Sequence, residues 1–394
     1  MAIFNKGDNE QIKYVSSNLL DKFINLAIEK EASDIHIQPE EKEILIRLRI
    51  DGILQEVEKA PLEILNRLIS RIKVLANLDI SETRQPQDGR FQIEKPDFKI
   101  DIRVSTFPTV YGECAVIRLL NQAKLITSFK DLGLEDKQKQ IFEKIIKKPY
   151  GLILTTGPTG AGKTATLFSI LNKLNTPDKC IVTLEDPVEL RLPLIRQSQI
   201  MTEYKFDFAQ GLRSLFRQNP DIIMVGEIRD KKTAEIAVKA AMTGHLVLST
   251  LHTNDSIGAL IRLKEMGLEK FMINSAVIGV IAQRLVRRVC LNCRESYKPE
   301  SGLVKSLGLD ETKQITFVRS RGCKLCRNSG YIGRTGIFEV LNVTPEINKL
   351  VYEDASWDDL NNLAIKQGMQ TLRQSGLSKA LAGITSLEEV IKEV

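Results

Sequence analysis

Residues 151–168 read GLILTTGPTGAGKTATLF. Gly151–Thr156 is short and apolar, as a strand covered on both faces is. Gly157 to Thr164, GPTGAGKT, matches the pattern G-x-x-x-x-G-K-[ST] without a gap. Residues 163–174 read as a helix. Strand, glycine-rich loop and helix in that order are what phosphate binding needs. The glycines let backbone N–H groups turn inward around phosphate oxygens. The helix start adds its partial positive charge. On this reading Gly157, Pro158, Thr159, Gly160, Ala161, Gly162, Lys163, Thr164 and Ala165 hold a nucleoside triphosphate, taken to be ATP. Lys163 reaches the β- and γ-phosphates, and Thr164 ligates Mg²⁺.

Downstream, apolar strand-like runs alternate with helical stretches: IVTLED, a helix at 207–218, DIIMVGE, a helix at 231–243, HLVLSTLHT and a helix at 256–266. That alternation predicts a parallel sheet with helical crossovers. Phosphate hydrolysis needs carboxylates beside the loop, and ligands in such sheets gather at the carboxyl ends of strands. Two runs end in them. One delivers Glu185, Asp186 and, after a proline, Glu189, the other Glu227 with Arg229 and Asp230 beyond it. HLVLSTLHT begins at His245 and ends with His252 and Thr253. His252 is expected to sense the γ-phosphate, whereas for His245 a structural and a functional role are evenly balanced.

Upstream the period is different. Residues 15–31 carry Leu19, Leu20, Phe23, Ile24, Ala27 and Ile28 at helical spacing. DIHIQ and EILIRLRIDGIL alternate as half-buried strands do, with Asp51-Gly52 as a hairpin turn. A helix is expected over 61–78, and strands at GRFQI, FKIDIRVST and CAVIRLL. The expected organisation is a small α+β domain at 1–122, a linker at 123–130 and the nucleotide-binding domain at 131–394. Within the last, a metal module is placed at 288–337 and helices at 338–394.

The chain has 394 residues, 43% of them hydrophobic and 27% charged, enough for a buried core in one to three domains. Its net charge of +6 comes from 56 basic against 50 acidic residues, a mixed solvated surface. No apolar run approaches a membrane span, and the start MAIFNKGDNEQIK lacks the apolar stretch of a secretory signal. A cytoplasmic location is therefore expected. Aromatic content is 6%, with no basic stripe interleaved with aromatics, so no nucleic acid is expected as a partner.

In the cytosol the six cysteines should be reduced or metal-bound. Cys290-x₂-Cys293 and Cys323-x₂-Cys326 form two knuckles, the pattern of a tetrahedral Zn²⁺–S₄ site. Four protein ligands make such a site structural. Cys114 and Cys180 read as core residues.

GPTGAGKT, LEDPVEL, DIIMVGEIRD and TGHLVLSTLHTND together resemble the type II/type IV secretion ATPase superfamily, as its Walker A loop, aspartate box, Walker B region and histidine box. ASDIHIQP, RQPQDGRF, DIRVSTFPTVYGE and LRQSGLSKALAGITSLEEV are similar to family segments too, so the resemblance covers nearly the whole chain. It implies an α/β fold, a RecA-like P-loop NTPase core preceded by a PAS-like α+β domain and carrying a tetracysteine zinc module. It implies a homo-hexameric ring that hydrolyses ATP and drives pseudopilus or pilus subunits out of the inner membrane. The implied partners are an inner-membrane platform protein and a membrane-anchored docking protein, with the ring at the cytoplasmic face of that membrane. Glu185 would activate water, Glu227 would be the Walker B acid, and Arg103 and Arg118 would reach the nucleotide. Arg84 and Arg90 are weaker candidates for that reach. The tetracysteine element marks secretion and assembly members and is usually missing from retraction members, which favours the former over the alternative of a DNA-uptake or retraction motor. SGLSKALAGITSLEEV and IAQRLVRRVCLNC lean towards type II secretion over pilus assembly. Many type II members carry a further N-terminal docking domain. Only residues 1–14 precede the helical pattern here, so the chain reads as a short or trimmed form.

Overall fold

Alternating apolar and polar residues give the first part of the chain its sheet. The computed structural model describes residues 19–95, 98–121, 128–129, 131–310 and 314–394, and the chain divides into two compact units, Met1–Lys124 and Leu125–Val394. The linker read at 123–130 lies almost wholly outside the described residues.

The first unit holds β1 (Asp34–Pro39), β2 (Glu43–Ile50), β3 (Ile53–Pro61), β4 (Gln87–Lys95), β5 (Phe98–Thr109) and β6 (Gly112–Asn121). They form one sheet in the order β3-β2-β1-β6-β5-β4, every neighbour antiparallel. The period of two sends Ile35, Ile37, Ile46, Leu48, Ile102 and Ile117 to one face, under Phe23 of a helix at 19–29 and Leu68 and Ile72 of the helix Leu65–Leu75. Arg103 and Arg118 fall on the other face, directly opposite one another. The helix expected over 61–78 is shorter, because a single 3₁₀ turn, Leu62–Ile64, precedes it. The turn at Asp51-Gly52 is as expected, with φ of 49° and 87°, both positive as a two-residue hairpin favours. Cys114 is half-buried and not a core residue, because its neighbour Ala115 takes the inward position of β6.

The second unit is built on β7 (Gly151–Thr156), β8 (Ile181–Glu185), β9 (Ile195–Gln199), β10 (Ile222–Val225), β11 (Leu246–Leu251), β12 (Val277–Val289) and β15 (Tyr331–Asn342). Their order is β15-β12-β7-β11-β10-β8-β9, all neighbours parallel except β15 with β12. The four strands β7, β8, β10 and β11 are buried at every position. Leu152 and Leu154 pack with Ala234, Val238 and Ile257 of helices Lys231–Met242 and Ser256–Glu265. Ile153 packs on the other side with Phe142 and Phe168 of helices Asp136–Ile146 and Lys163–Leu174. Coverage on both faces explains why these strands read as unbroken apolar runs. Cys180 is also half-buried, because the apolar run begins only after it, at Ile181.

Between β12 and β15 the chain forms a separate two-stranded sheet, β13 (Arg294–Tyr297) with β14 (Phe317–Ser320), beside the four cysteines. β15 runs through Asn342, so the C-terminal helices begin at Pro345 and not at 338. Phe317 of β14 is fully buried with Leu377, Ala380, Leu387 and Val390 of the last two helices, Leu372–Leu381 and Leu387–Glu393. Among the described residues, no helix is long and apolar enough to cross a membrane.

Candidate functional site

The phosphate loop follows the carboxyl end of β7. Its glycines take backbone conformations that other residues rarely adopt, with φ of 81° at Gly160 and 88° at Gly162. A side chain at Gly160 would meet nothing within 4 Å, so the loop backbone there is open to an approaching group. Pro158, Thr159, Gly160 and Thr164 are exposed, Gly162 and Ala165 half-buried, and Ala161 and Lys163 buried. Lys163 begins the following helix. Its Nζ donates to the loop's own carbonyls, Gly157 O at 2.7 Å and Pro158 O at 3.1 Å. Burial lowers its pKa to about 8; nearby Glu227 acts in the opposite direction. A desolvated cation satisfied by two neutral carbonyls beside an open glycine backbone fits a polyphosphate, whose oxygens would be stronger acceptors. The exposed Thr164 hydroxyl fits a Mg²⁺ ligand.

Three other strands of the same sheet supply one group each. Glu185 ends β8 and is 4% exposed. Its Oε1 accepts from Thr183 Oγ1 at 2.5 Å and Gln197 Nε2 at 2.9 Å. Burial raises its pKa and outweighs those two bonds. A carboxylate with raised proton affinity suits a general base. Glu227 lies two residues beyond β10. It pairs with Arg229, whose other nitrogen lies 3.7 Å from Asp186, so one guanidinium bridges two strand ends. His252 follows β11, with Nε2 3.9 Å from Glu227. Burial lowers the His252 pKa and Lys163 adds to this, while Glu227 acts the other way; the net direction favours the neutral ring.

The strand ends are tied to each other. Ser249 Oγ donates to Val225 O at 2.8 Å and Thr250 Oγ1 to Gly226 O at 2.9 Å, fixing β11 against the approach to Glu227. The hydroxyls of Thr156 and Thr253 lie 2.7 Å apart, joining β7 to the residue after His252.

Some sequence candidates lie elsewhere. His245 sits at the opposite end of β11, its Nδ1 3.0 Å from Ala240 O and its ring tilted against Phe216, a structural position. Asp230 caps the helix Lys231–Met242, accepting from Thr233 N at 2.8 Å. Arg103 and Arg118 belong to the first unit; Arg118 Nε donates to the buried Asp34 at 2.8 Å. Gln197, Gln283 and Arg284 were not read as site residues; the last two lie in IAQRLVRRVCLNC, a stretch that served only to lean towards type II secretion.

The cysteines form a second centre. Cys290, Cys293, Cys323 and Cys326 place their sulfurs within 4.8 Å of one another. Cys290–Cys323 is 3.9 Å, and Cys293–Cys326 and Cys323–Cys326 are 3.7 Å. A tetrahedron with zinc–sulfur bonds of about 2.3 Å has edges of about 3.8 Å. The cluster therefore fits a four-coordinate thiolate-bound ion. Backbone N–H groups of Cys323 and Gly330 donate to Cys326 Sγ at 3.1 and 3.3 Å, and the Asn292 amide to Cys323 Sγ at 3.4 Å. The Asn292 bond leads the effects that bring the Cys323 pKa down to about 6, while burial leads those that push Cys293 up to about 12, so the thiolate is favoured at Cys323.

Comparison with known proteins places this geometry. A family described as type II/IV secretion system protein matches residues 9–392. The chain is 47% identical over 381 residues to the type IV pilus assembly ATPase PilB of Thermus thermophilus, covering 96% of this chain and 42% of that protein. It is 44% identical over 374 residues to type II secretion system protein E of Pseudomonas aeruginosa, covering 95% of this chain and 74% of that protein. The chain thus spans under half the length of the first relative and about three quarters of the second. A crystal structure of the pilus retraction motor PilT with bound ADP matches with a TM-score of 0.63 at 25% identity, over 95% of this chain and 96% of that one.

Proposed function

Because the chain belongs to the type II/IV secretion system protein family, we propose that it is an ATP-hydrolysing motor that powers pseudopilus assembly in type II protein secretion. One observation carries this reading. Four adjacent strands, β7, β11, β10 and β8, lead at their carboxyl ends to Lys163 across the phosphate loop, His252, Glu227 and Glu185 respectively. Pilus assembly is the second reading, favoured by the 47% identity to PilB.

The proposed division of labour is supported by the chemistry of the strand ends and, for Arg103 and Arg118, by the family resemblance alone. The loop N–H groups and Lys163 bind the phosphates. Glu185 accepts a proton from water as its oxygen attacks the γ-phosphorus and the bond to the β-phosphate oxygen breaks, giving ADP and phosphate. Glu227 orients the water and supports the metal. His252, neutral, donates to the γ-phosphate. Mg²⁺, held by Thr164, supplies charge neutralisation when bound. Zn²⁺ on the four cysteines is structural. Arg103 and Arg118 stabilise charge on the transferred group, as guanidinium groups do in phosphoryl transfer. The working form is proposed to be a homo-hexameric ring at the cytoplasmic face of the inner membrane, acting on a platform protein there and held by a membrane-anchored docking protein. Domains at 1–122 and 131–394 are proposed to move against each other with the state of the nucleotide.

Glu227→Gln is expected to bind ATP as the parent does and to hydrolyse it about 10²-fold more slowly. Steady-state hydrolysis beside nucleotide titration checks this, and a parental rate would overturn the role of Glu227. For the ring, specific activity is expected to rise steeply with protein concentration, and Arg103→Ala to lose at least about tenfold of it. Activity independent of concentration, with Arg103→Ala fully active, would leave hydrolysis to a lone second unit.

A further inference from the structure

β12 packs against the phosphate loop, and one of its residues touches the loop at three places. Gln283 is 2% exposed. Its Oε1 accepts from Thr166 Oγ1 at 2.6 Å, and Thr166 lies fully buried in the first turn of the helix that follows the loop. Its Nε2 stands 2.6 Å from where a Cβ on Gly162 would be. Its carbonyl oxygen stands 2.5 Å from where a Cβ on Gly157 would be, so the first glycine of the loop lies flat on the β12 backbone and admits no side chain.

Arg284 braces that carbonyl. Its Nη1 donates to Gln283 O at 3.0 Å, and its Nη2 donates to Asn254 O at 2.8 Å, two residues after His252. Burying an amide and a guanidinium side by side costs desolvation that apolar residues would avoid. Here their hydrogen bonds reach the Thr166 hydroxyl at the start of the loop's helix, the β12 carbonyl on which Gly157 lies, and the Asn254 carbonyl after His252.

We propose that Gln283 is a positioning residue of the nucleotide site, holding the phosphate loop in its binding shape from β12. The proposal rests on the reading of the loop as a nucleotide site. Phosphate binding by a loop depends on several N–H groups converging at once, so a small displacement of Gly157 or of the first helical turn weakens all of them together. Gln283 therefore controls affinity through the loop, and its effect belongs to the same bond that Thr166 makes.

The test is ADP binding with Mg²⁺ by calorimetry on the full chain, for Gln283→Leu, Thr166→Val and the double variant. Each single variant is expected to weaken binding about tenfold, the scale of one buried hydrogen bond. The double variant should be no weaker than the singles, because both remove one bond. Affinities within about twofold of the parent, or losses that multiply in the double variant, would overturn the proposal. A purely structural role would lower the unfolding midpoint without nucleotide and leave ADP affinity unchanged. Should Gln283→Leu fail to fold, Gln283→Met carries the test. It keeps the unbranched length of the side chain and adds no charge, but offers Thr166 no amide oxygen. Weaker ADP binding is expected, and parental binding would overturn the proposal. Lys163→Ala separates the two levels. If it binds ADP as the parent does, the loop is not the nucleotide site; if it does not while Gln283 variants do, only the role of Gln283 falls.

Discussion

Lys163→Ala is expected to fold normally and to hydrolyse ATP about 10³-fold more slowly than the parent. Both halves follow from its surroundings. The ammonium is buried, its pKa brought down to about 8 by desolvation, and its partners without nucleotide are two loop carbonyls, Gly157 O and Pro158 O. Removing it relieves that desolvation, so the unfolding midpoint should hold or rise slightly. With ATP present, neither Arg284 nor Arg229 substitutes for it at the loop. Arg284 is committed to the carbonyls of Gln283 and Asn254, and Arg229 to Glu227. Hydrolysis and unfolding measured on one preparation decide the matter. A variant within about tenfold of the parental rate would remove the loop from the reaction altogether.

Cys326→Ser is expected to have the largest effect on folding. Zinc content should fall from about one ion per chain to nearly none, as a structural S₄ site needs all four ligands. Cys326 is 4% exposed and receives N–H groups from Cys323 and Gly330, so its loss also frees the turn that carries Cys323. Structural zinc contributes about 10–16 kcal/mol of apparent binding free energy to the fold it closes. Residues 290–330 should become sensitive to protease, and a strong chelator should reproduce this in the parent. Metal analysis and limited proteolysis check both. A parent isolated without metal, or a variant that keeps it, would overturn the assignment of the cluster to zinc.

What the sequence disclosed depended on how local its signals were. The phosphate loop, the buried parallel strands and the cysteine knuckles each lie within a few residues, and their meaning follows from spacing alone. Glu185, Glu227 and His252 were legible because each ends a strand of one parallel sheet, where position is shared by construction. β12 and β15 were not read as strands. Their pairing joins Gly279 to Asn342 across the whole metal module, and a long-range antiparallel partner leaves no local mark. The same distance hid Gln283, whose partner Thr166 is 117 residues away. Cys114 and Cys180 were misread for a different reason. A thiol in an apolar run looks like core, and only the register of β6 and the true start of β8 put them half outside.

The pairing of β12 with β15 also bears on how such a chain could change over evolution. Val289 and Tyr331 are register partners, so the forty or so residues between them are an insertion at the tip of a hairpin, entering and leaving at one point. An insertion of that kind could be excised and the hairpin closed by a short turn. The obstacle is Phe317, which fills the space under Leu377, Leu387 and Val390. A lineage that discarded the cysteine module would uncover that apolar floor, yet its last two helices would keep their hold on β12 and β15 through Glu389, Lys379 and Leu372. Loss of the module is thus expected to leave the tail in place and to change only the apolar residues that faced Phe317.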